Sequence, residues 1–532
     1  MKLWFNILLF LFFSACSQAV ETYLDNGTIK IGIDLAKGGS ITYLSLSGTN
    51  DNLVNNYDLG RQIQQSYYSG PYPYNPSNNV HPSWTNWPWN PIQSGDVYNH
   101  RSSVITYTND GQRLYVKSRP MQWALNNIPG ECTFESWISL AGNVAVISNR
   151  LLNARTDTTN QFPAWGQELP AVYTIGRLYR LISYTNTAPF TGGAVAELPR
   201  VPPPWQYWRA TESWAALLNS SGWGVGVYHP GAVLFAGGFS GIPGSGGPSN
   251  NPTGYMTPLH TEIIDGNIEY KYSYHLILGT LTQIRDWVYA QSYRPGCDFS
   301  FQSDRQHWSY PNVKDSGWPI QNNRLRVSLY SNDPQMQSPA CAFSASNVPK
   351  LYIRAAYHIA NPAGRSTGQI FWEVNGGGYS GANSKTFSIV ADGQFRTYEV
   401  NLASSTNYNG LITNLRFDPA TSGESNDYVE VAAISSSPFV NNSLTTNPVL
   451  RFSISNLSPV VSFQSVSATN AGFTGKNLRY DLEGRSNLVS GSWQYVVGAT
   501  NVTGTGFPIA LSGTNSSLLN SRFFRLKLRL DP

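Results

Sequence analysis

Residues 28–46 have the sequence TIKIGIDLAKGGSITYLSL, which is typical of two antiparallel strands joined by a glycine turn. Polar and apolar residues alternate in Thr28–Asp34 and again in Ser40–Leu46, as in strands that bury one face. Gly38 and Gly39 lie between the two runs, and glycine pairs favour turns. The stretch therefore predicts a β-hairpin near the start of the folded chain.

The same alternation recurs as far as about Arg294. Further strand-like runs are Ser103–Thr108, Leu114–Ser118, Cys132–Leu140, Val144–Leu152, Trp214–Leu218, Gly224–Tyr228, Thr261–Ile264 and Ile268–Leu278. A helical period of useful length occurs at Leu281–Gln291, directly after a strand. We therefore predict one continuous β-rich domain over residues 20–297.

The composition indicates several all-β domains of the kind found outside cells. Charged residues make up 12% of the chain and aromatic residues 13%, and many Gly, Pro, Ser, Thr and Asn residues accompany them. With 532 residues the chain is too long for one ordinary core, so two to four domains are expected. The net charge of +4, without a basic run, argues against nucleic acid and anionic membranes as partners.

The N-terminus predicts export from a bacterial-type cell. Lys2 followed by the apolar run Leu3–Phe13 is typical of a signal peptide, which we place at residues 1–19 and which is too short to span a bilayer. Ser17-Gln18-Ala19 fits ordinary signal cleavage, whereas Phe13-Ser14-Ala15-Cys16 resembles a lipobox. The protein is therefore expected to be secreted, or held at the cell surface by a lipid anchor on Cys16.

Three further segments follow the first domain. Residues 298–437 contain short, regularly spaced strand-like runs that predict a second sandwich. Its runs Asp392–Arg396, Gly410–Ile412 and Leu415–Pro419 resemble jelly-roll carbohydrate-binding-like modules, although a structural spacer is the alternative. Residues 438–448 form a predicted linker rich in Ser, Asn, Thr and Pro, and residues 449–532 a small β domain.

The first domain resembles the galactose mutarotase-like superfamily. The resemblance lies in the opening hairpin, in Asn52-Leu53-Val54, in the turn Asp58–Arg61, and in the late strand Tyr270–Leu278 that runs into Gly279-Thr280 and Ile284-Arg285. It implies an all-β fold, with a large two-sheet supersandwich followed by the jelly-roll β-sandwich and the small C-terminal β domain. It also implies a concave sugar-binding face, as in sugar epimerases and in domains of glycosidases and polysaccharide lyases. The histidine pair, acid and glutamate base of the epimerases have no residue-by-residue match here.

Residues 60–96, which we call the aromatic loop, combine Trp and Tyr rings with amides and a guanidinium. Aromatic faces and planar hydrogen-bonding groups together suit a sugar, which has C–H surface and many hydroxyls. The predicted sugar contacts are Arg61, Gln62, Gln65, Tyr67, Trp87, Trp89 and Gln93, and, outside the loop, His229 and His260. The alternative is a proline-stiffened loop that only covers a core, with both histidines in structural roles.

Two glutamates are the predicted catalytic residues. Glu168 lies among Trp, Gln and Tyr between two prolines, and Glu212 lies among three tryptophans. Apolar surroundings disfavour a charged carboxylate and suit a general acid. The pair would flank a glycosidic bond as proton donor and as base or nucleophile. The alternatives are hydrogen bonds from loop amides to Glu168 and an ion pair between Glu212 and Arg209.

No phosphate loop, dinucleotide motif, serine-hydrolase motif or metal-ligand spacing is present, so neither a cofactor nor a metal is predicted. Cys132, Cys297 and Cys341 form at most one disulfide, or serve as small buried hydrophobes. The leading hypothesis is a secreted glycoside hydrolase acting on a polysaccharide or oligosaccharide. A polysaccharide lyase on the same scaffold and a non-catalytic surface glycan-binding protein are the alternatives.

Overall fold

A computed structural model describes residues 20–76 and 79–439 and, from the C-terminal part, 451–455, 458–464, 477–487, 492–496, 499–503, 508–512 and 523–531. The predicted signal peptide, including Cys16, and most of the predicted linker lie outside the described residues. The chain divides into two compact units between Ser437 and Pro438. Both sides of the predicted domain boundary at residue 297 belong to the first unit.

The first part of unit 1 is a sandwich of nineteen described strands and one helix. The strands are β1 (Glu21–Asp25), β2 (Ile29–Asp34), β3 (Ser40–Leu46), β4 (Ile63–Ser66), β5 (Pro91–Ile92), β6 (Ser103–Asn109), β7 (Arg113–Arg119), β8 (Met121–Gln122), β9 (Cys132–Ala141), β10 (Val144–Asn153), β11 (Trp165–Ile175), β12 (Arg180–Ser183), β13 (Ala196–Glu197), β14 (Gln206–Arg209), β15 (Trp214–Leu218), β16 (Trp223–Tyr228), β17 (Leu234–Ser240), β18 (Thr253–Glu262) and β19 (Glu269–Thr280). The helix α1 (Leu281–Ala290) follows β19 directly, and single 3-10 turns occur at Leu35–Lys37 and Pro82–Trp84. The predicted hairpin and helix are thus both present.

These strands form two large antiparallel sheets. The first sheet has ten described strands. Eight of them follow the order β1-β2-β3-β4-β11-β18-β17-β14, while β5 pairs with β4 and β8 pairs with β5. The second sheet has nine described strands in the order β13-β12-β15-β16-β19-β10-β9-β7-β6. Large two-sheet packing of this kind buries one face of each sheet against the other. The predicted all-β sandwich is confirmed.

Alternating side chains build the core between the two sheets. Ile29, Ile31 and Ile33 of β2 point into it from the ten-stranded sheet, and Leu114 and Val116 of β7 meet them from the nine-stranded sheet. Residues of one strand face point the same way every second position, so a single strand supplies several core contacts.

The glycine turn of the first hairpin has a strict steric requirement. Gly38 and Gly39 have φ values of 59° and 70°, which glycine adopts without cost. A Cβ on Gly38 would lie 2.1 Å from the carbonyl oxygen of Gln93, and a Cβ on Gly39 would lie 2.5 Å from a methyl of Val116. The turn therefore packs directly on the chain behind it, so only glycine fits at both positions.

Helix α1 covers the outer face of the nine-stranded sheet. Ala215 and Leu217 of β15 belong to the core between the sheets, whereas Trp214, Ala216 and Leu218 pack with the helix. The helix begins with a capping box, in which Thr280 and Gln283 satisfy each other's backbone amides. Among the described residues, none of the helices has the length and apolar character needed to cross a membrane.

The second part of unit 1 is a smaller sandwich. Its strands are β20 (Phe299–Ser300), β21 (Leu325–Ser328), β22 (Met336–Gln337), β23 (Phe343–Ser344), β24 (Lys350–His358), β25 (Thr367–Val374), β26 (Ser384–Ser388), β27 (Arg396–Asn401), β28 (Leu411–Asp418) and β29 (Tyr428–Ser435). One sheet has the order β20-β29-β24-β27 with β21 on β29, and the other β22-β28-β25-β26 with β23 on β28. Single 3-10 turns lie at Ala345–Asn347 and Leu402–Ser404. Ile353, Trp372 and Phe417 are fully buried between the sheets.

Unit 2 contains short antiparallel sheets. Its described strands are β30 (Arg451–Ser455), β31 (Ser458–Gln464), β32 (Asn477–Arg485), β33 (Gln494–Tyr495), β34 (Val502–Thr503), β35 (Pro508–Ser512) and β36 (Phe523–Asp531). The longest pairing joins β32 and β36 from Asn477 to Arg485. Tyr480, Leu482 and Phe463 form the centre of its small core.

The three cysteines of the described chain, Cys132, Cys297 and Cys341, are free and buried. Burial raises the pKa of each thiol, which keeps the sulfur protonated and apolar in character. They therefore act as small hydrophobic side chains rather than as covalent links.

A buried ion cluster joins the two sandwiches of unit 1. Arg305, which follows β20, donates to Asp265, which follows β18, with a separation of 2.6 Å. The same guanidinium makes two hydrogen bonds to Asp315, one of them at 2.9 Å. Arg305 is only 4% exposed, so the cation depends on these two carboxylates for the interactions that water would otherwise supply.

Replacing Arg305 with Met tests this cluster. We expect the free energy of unfolding to fall by about 3–5 kcal/mol, because two buried carboxylates lose their shared cation. Arg177→Met is the control, since Arg177 pairs with Asp51 at the surface and its loss should change stability by about 0–1 kcal/mol. Urea unfolding of both variants measures the difference, and equal shifts of the two midpoints would contradict the assignment.

Candidate functional site

The ten-stranded sheet carries a cleft on the face that points away from the core. On β4, Ile63 belongs to the core, whereas its neighbours Gln64 and Ser66 line the cleft. On β11, Leu169 and Val172 belong to the core, and Glu168 lines the cleft. The cleft holds about 620 Å³, which lies within the range of roughly 300–1,000 Å³ typical of ligand sites. We call it the Glu168 cleft.

A register break in β11 determines what reaches the Glu168 cleft. The pairing of β11 with β18 shifts between Glu168 and Val172. In a regular strand Glu168 and Val172 would share a face, because they lie four residues apart. The break reverses the alternation, so Ala171 and Tyr173 line the cleft together with Glu168 while Val172 is buried.

The Glu168 carboxylate sits between two tyrosine hydroxyls. Tyr255 of β18 donates to Oε1 at 2.5 Å, and Tyr68 donates to Oε2 at 3.2 Å. Burial raises the pKa of Glu168 above the ordinary glutamate value, and hydrogen bonds from Tyr255, Ser66 and Tyr68 oppose that rise in part. Glu168 therefore keeps its proton to higher pH than an exposed glutamate does.

The two tyrosines are donors and not bases. Burial, together with the negative charge of Glu168, raises the pKa of Tyr68 and of Tyr255 well above the usual tyrosine value. Both hydroxyls therefore hold their protons at neutral pH. The site can offer a carboxyl group held in place by two fixed O–H donors.

Aromatic rings line the Glu168 cleft on both sides of β11 in the strand order. Trp84 packs against Trp87 and Trp123, with ring centroids 4.4 and 6.0 Å apart. Beyond β18, Trp205 packs on Tyr255 with its ring centroid 4.9 Å away. All four tryptophans line the cleft and are partly exposed. Flat rings of this kind offer apolar faces to a ligand that enters between them.

The polar lining carries a second carboxylate and a single cation. Asp58 accepts a hydrogen bond from the backbone of Gly60 at 2.9 Å and pairs with Arg61 at 3.1 Å. Gln64, Ser66 and Asn90 add neutral donors and acceptors. Among the lining residues Arg61 is the only cation, and Asp58 already balances it. The cleft therefore has no free positive charge for an acidic ligand.

Two of the predicted sugar contacts, Arg61 and Trp87, line the Glu168 cleft with the predicted acid Glu168. The structure does not support the other five predictions from the aromatic loop, because those side chains are buried and bonded within the protein. They are Gln62, Gln65, Tyr67, Trp89 and Gln93.

Each of these buried groups has an internal partner. Gln65 reaches across the core to the carbonyl of Glu135 at 3.0 Å and accepts from the Tyr67 hydroxyl. The amide group of Gln93 donates to the carbonyl of Gly38, and the indole of Trp89 donates to Glu131. Buried polar groups of this kind are bonded because an unpaired one is costly. Gln62 likewise donates to the carbonyl of Asp58.

The structure also separates Glu212 from Glu168. Glu212 is fully buried beside α1, on the outer side of the nine-stranded sheet, and it does not line the Glu168 cleft. Its carboxylate pairs with Arg285 at 3.1 Å and accepts hydrogen bonds from Tyr289 and Trp214. Glu212 therefore anchors the helix, and its ion-pair partner is Arg285, not Arg209, which the structural alternative had named.

His229 and His260 lie apart from both Glu168 and Glu212. Their rings are 5.1 Å apart and both are buried, but neither lines the Glu168 cleft. Burial lowers the pKa of His229 to about 3 and that of His260 well below the usual value. Both rings are therefore neutral at physiological pH.

The sequence analysis missed several residues of this site. Asp58 resembles an ordinary turn residue, and Tyr255 lies in a strand that the pattern predicted to begin only at Thr261. Trp123 and Trp205 are far from the aromatic loop in sequence and join it only through the sheet order. Among these missed residues, Trp205 carries a signal that could have found it, because it follows three prolines in a stretch rich in tryptophan.

The sequence matches no protein-family model and none of the curated proteins. Among solved structures, the chain is similar to a galactose mutarotase related enzyme from Lactobacillus acidophilus (TM-score 0.33, 10% identity, 48% of this chain and 97% of that one). It is also similar to a galactose mutarotase-like protein from Lactobacillus casei (0.31, 10%, 48% and 99%) and to the 4-alpha-glucanotransferase of Thermococcus litoralis (0.26, 12%, 49% and 37%). Galactose mutarotase-like structures, the family expected from the sequence, are thus among those that the chain resembles over about half its length, and at this identity the likeness concerns the fold alone.

The raised pKa of Glu168 predicts how stability depends on pH. The folded state holds the Glu168 proton more tightly than the unfolded chain does, so its contribution is complete below the ordinary glutamate pKa of about 4.3. That contribution is lost as the pH rises through the raised value. In Glu168→Gln, where nothing ionises, we expect this loss to be absent.

Urea midpoints of wild type and Glu168→Gln across this pH range measure the effect. Glu197→Gln is the control, because Glu197 is exposed and pairs with Arg180 at the surface. Parallel pH profiles for wild type and Glu168→Gln would show that Glu168 is not the group concerned.

Proposed function

We propose that the protein is an exported glycoside hydrolase that acts on a neutral polysaccharide or oligosaccharide in the Glu168 cleft. The observation that carries the proposal is a carboxyl group with a raised pKa on the floor of a cleft lined by tryptophan. Cleavage of a glycosidic bond needs a proton donor, and a carboxyl group that keeps its proton to higher pH than an exposed glutamate suits that role. The signal-like segment Lys2–Phe13 supports export.

Asp58 is the proposed partner of Glu168. Asp58 and Glu168 are the two carboxylates that line the cleft, and hydrolysis needs one group to donate a proton and another to act as base or nucleophile. Asp58 pairs with Arg61 at 3.1 Å, so the guanidinium holds the carboxylate in place at the wall of the cleft. In this scheme Glu168 protonates the leaving oxygen and Asp58 activates water or attacks the sugar carbon.

The charges of the cleft favour hydrolysis of a neutral glycan over elimination. A lyase acts on an acidic sugar and needs a base together with a group that neutralises the substrate carboxylate. Here Tyr68 and Tyr255 hold their protons firmly, and Arg61 is already paired. The lyase alternative therefore has less support than the hydrolase.

A non-catalytic glycan-binding protein is the second candidate. It is favoured by the fact that both carboxylates already have partners within the protein: Glu168 accepts from two tyrosines, and Asp58 is held by Arg61 and Gly60. In that case the tryptophans bind the glycan and no bond is cleaved.

Reducing-sugar release from a panel of neutral polysaccharides tests the proposal. We expect turnover by wild type, and a loss of at least about 100-fold in Glu168→Gln and in Asp58→Asn, because each removes one of the two required groups. Glu212→Gln is the matched control. It should lose stability through Arg285 while its folded fraction keeps wild-type turnover.

Three results would count against hydrolysis at this site. Turnover of Glu168→Gln within about threefold of wild type, roughly 0.65 kcal/mol, would exclude Glu168 as the acid. Glycan binding without product would favour the binding protein. Products that carry a new double bond would favour the lyase.

Trp87→Ala tests the aromatic wall separately from the chemistry. We expect affinity for a bound glycan to weaken by about 1–3 kcal/mol, or roughly 5- to 150-fold, because a ring face in the cleft is lost. Trp287→Ala is the control, since Trp287 lies on α1 and donates to His275. Calorimetric titration of both variants with the same glycan measures the difference. Equal affinities of the two variants would indicate that the sugar binds at another site.

A further inference from the structure

Three side chains of metal-ligand type meet away from the Glu168 cleft. His260 and Glu262 lie two residues apart on β18 and therefore share one face of the strand. His307 comes from the segment between β20 and β21, and its ring centroid lies 4.1 Å from that of His260. One ligand atom from each of the three lies within 4.8 Å of the other two.

One polar atom of these three residues is buried without a partner. His260 is 4% exposed, and no described residue forms a hydrogen bond with its Nε2. Leaving such a group unpaired is costly, so buried polar atoms without partners are uncommon. The Nε2 of the neighbouring His229 is in the same condition. A bound group from outside the chain would supply the partners that these two nitrogen atoms lack.

Two neighbouring side chains fix the position of the Glu262 carboxylate. The hydroxyl of Tyr270 donates to Oε1 of Glu262 at 2.8 Å, and His307 contacts the same oxygen through Nδ1. Metal-binding carboxylates are commonly fixed by a hydrogen bond from a neighbouring side chain. Tyr270 can keep this role when an ion replaces the hydrogen between His307 and Glu262.

The cluster is open to an ion from solvent. A cavity of about 310 Å³ is lined by His260, His307 and Gln306, and another of about 280 Å³ by Glu262 and His307. His307 lines both cavities, and its side chain is 38% exposed. An ion can therefore reach all three ligands without rearrangement of the sheet.

We propose that His260, Glu262 and His307 bind one divalent transition-metal ion, with zinc as the fitting ion. Two imidazoles and one carboxylate form a ligand set that zinc uses, with water in the fourth position. Calcium and magnesium prefer all-oxygen sites, which this cluster is not. The ion takes the place of the hydrogen between His307 and Glu262, the ring keeps its N–H on the other nitrogen, and the carboxylate and Nδ1 then face the metal.

The ligands come from both sandwiches of unit 1. His260 and Glu262 belong to the last strand of the ten-stranded sheet before β19, whereas His307 belongs to the segment that leads into the smaller sandwich. The ion therefore ties the two sandwiches together, close to Arg305, which does the same by charge. The site is independent of the proposed hydrolysis.

Zinc titration of the full-length protein after removal of metal with EDTA tests the proposal. We expect calorimetry to show one equivalent of zinc per chain, and cobalt to give the visible absorption of a four-coordinate site. His260→Ala, Glu262→Gln and His307→Gln should each weaken zinc binding by at least about tenfold, since loss of even a group that supports a ligand costs roughly 10- to 100-fold.

His100→Ala is the matched control, because His100 lies outside the cluster and pairs with Asp96. It should bind zinc as wild type does. His307→Gln keeps the proposal testable if the buried His260→Ala fails to fold, because the His307 side chain is partly exposed. Wild-type zinc affinity in folded His307→Gln and Glu262→Gln, or no stoichiometric uptake by wild type, overturns the proposal.

Discussion

The register break in β11 is the constraint on which the candidate site depends. A strand has two faces, and a sheet that buries one of them normally sends every second residue to the core. By inserting one extra residue between Glu168 and Val172, β11 buries Leu169 and Val172 while Glu168 and Tyr173 both face outward. The same break places Glu168 opposite Ser66 of β4, where Tyr68 follows, and beside β18, which supplies Tyr255.

The fold was largely predictable because most strands follow simple alternation. The hairpin around Gly38-Gly39, the strands from Leu114 to Leu152 and the helix after Gly279 were all expected, and all are present. The pattern missed several strands, and the one that matters most for the site is β11, since two prolines made residues 162–173 resemble a stiff loop and Pro170 lies at the register break. Proline is tolerated in a sheet at such irregularities, so composition alone hid the strand that carries Glu168.

The candidate site was predictable mainly where a residue's neighbours in sequence are also its neighbours in space. Arg61 and Trp87 met that condition through Asp58 and Trp84, and Tyr173 lines the cleft together with Glu168. Trp89 and Gln65 did not, because their partners Glu131 and Glu135 lie 42 and 70 residues away and turn them inward. Glu212 is the sharpest case. Its tryptophan neighbours resemble a binding site, but Arg285, 73 residues later, neutralises its charge in the interior. His307 also gave no signal, because its neighbours in space are distant from it in the sequence.

The buried cluster of Arg305 with Asp265 and Asp315 bears on how such a protein can be divided. Many appended β-sandwiches are modular: they can be removed or exchanged, because their surfaces are complete without the neighbour. Here a cut after the first sandwich would leave Asp265 without its cation, and Ile263, which packs in the core of the smaller sandwich, would be exposed to water. The smaller sandwich is therefore not a detachable accessory. The two sandwiches of unit 1 are expected to be inherited, expressed and unfolded as one body.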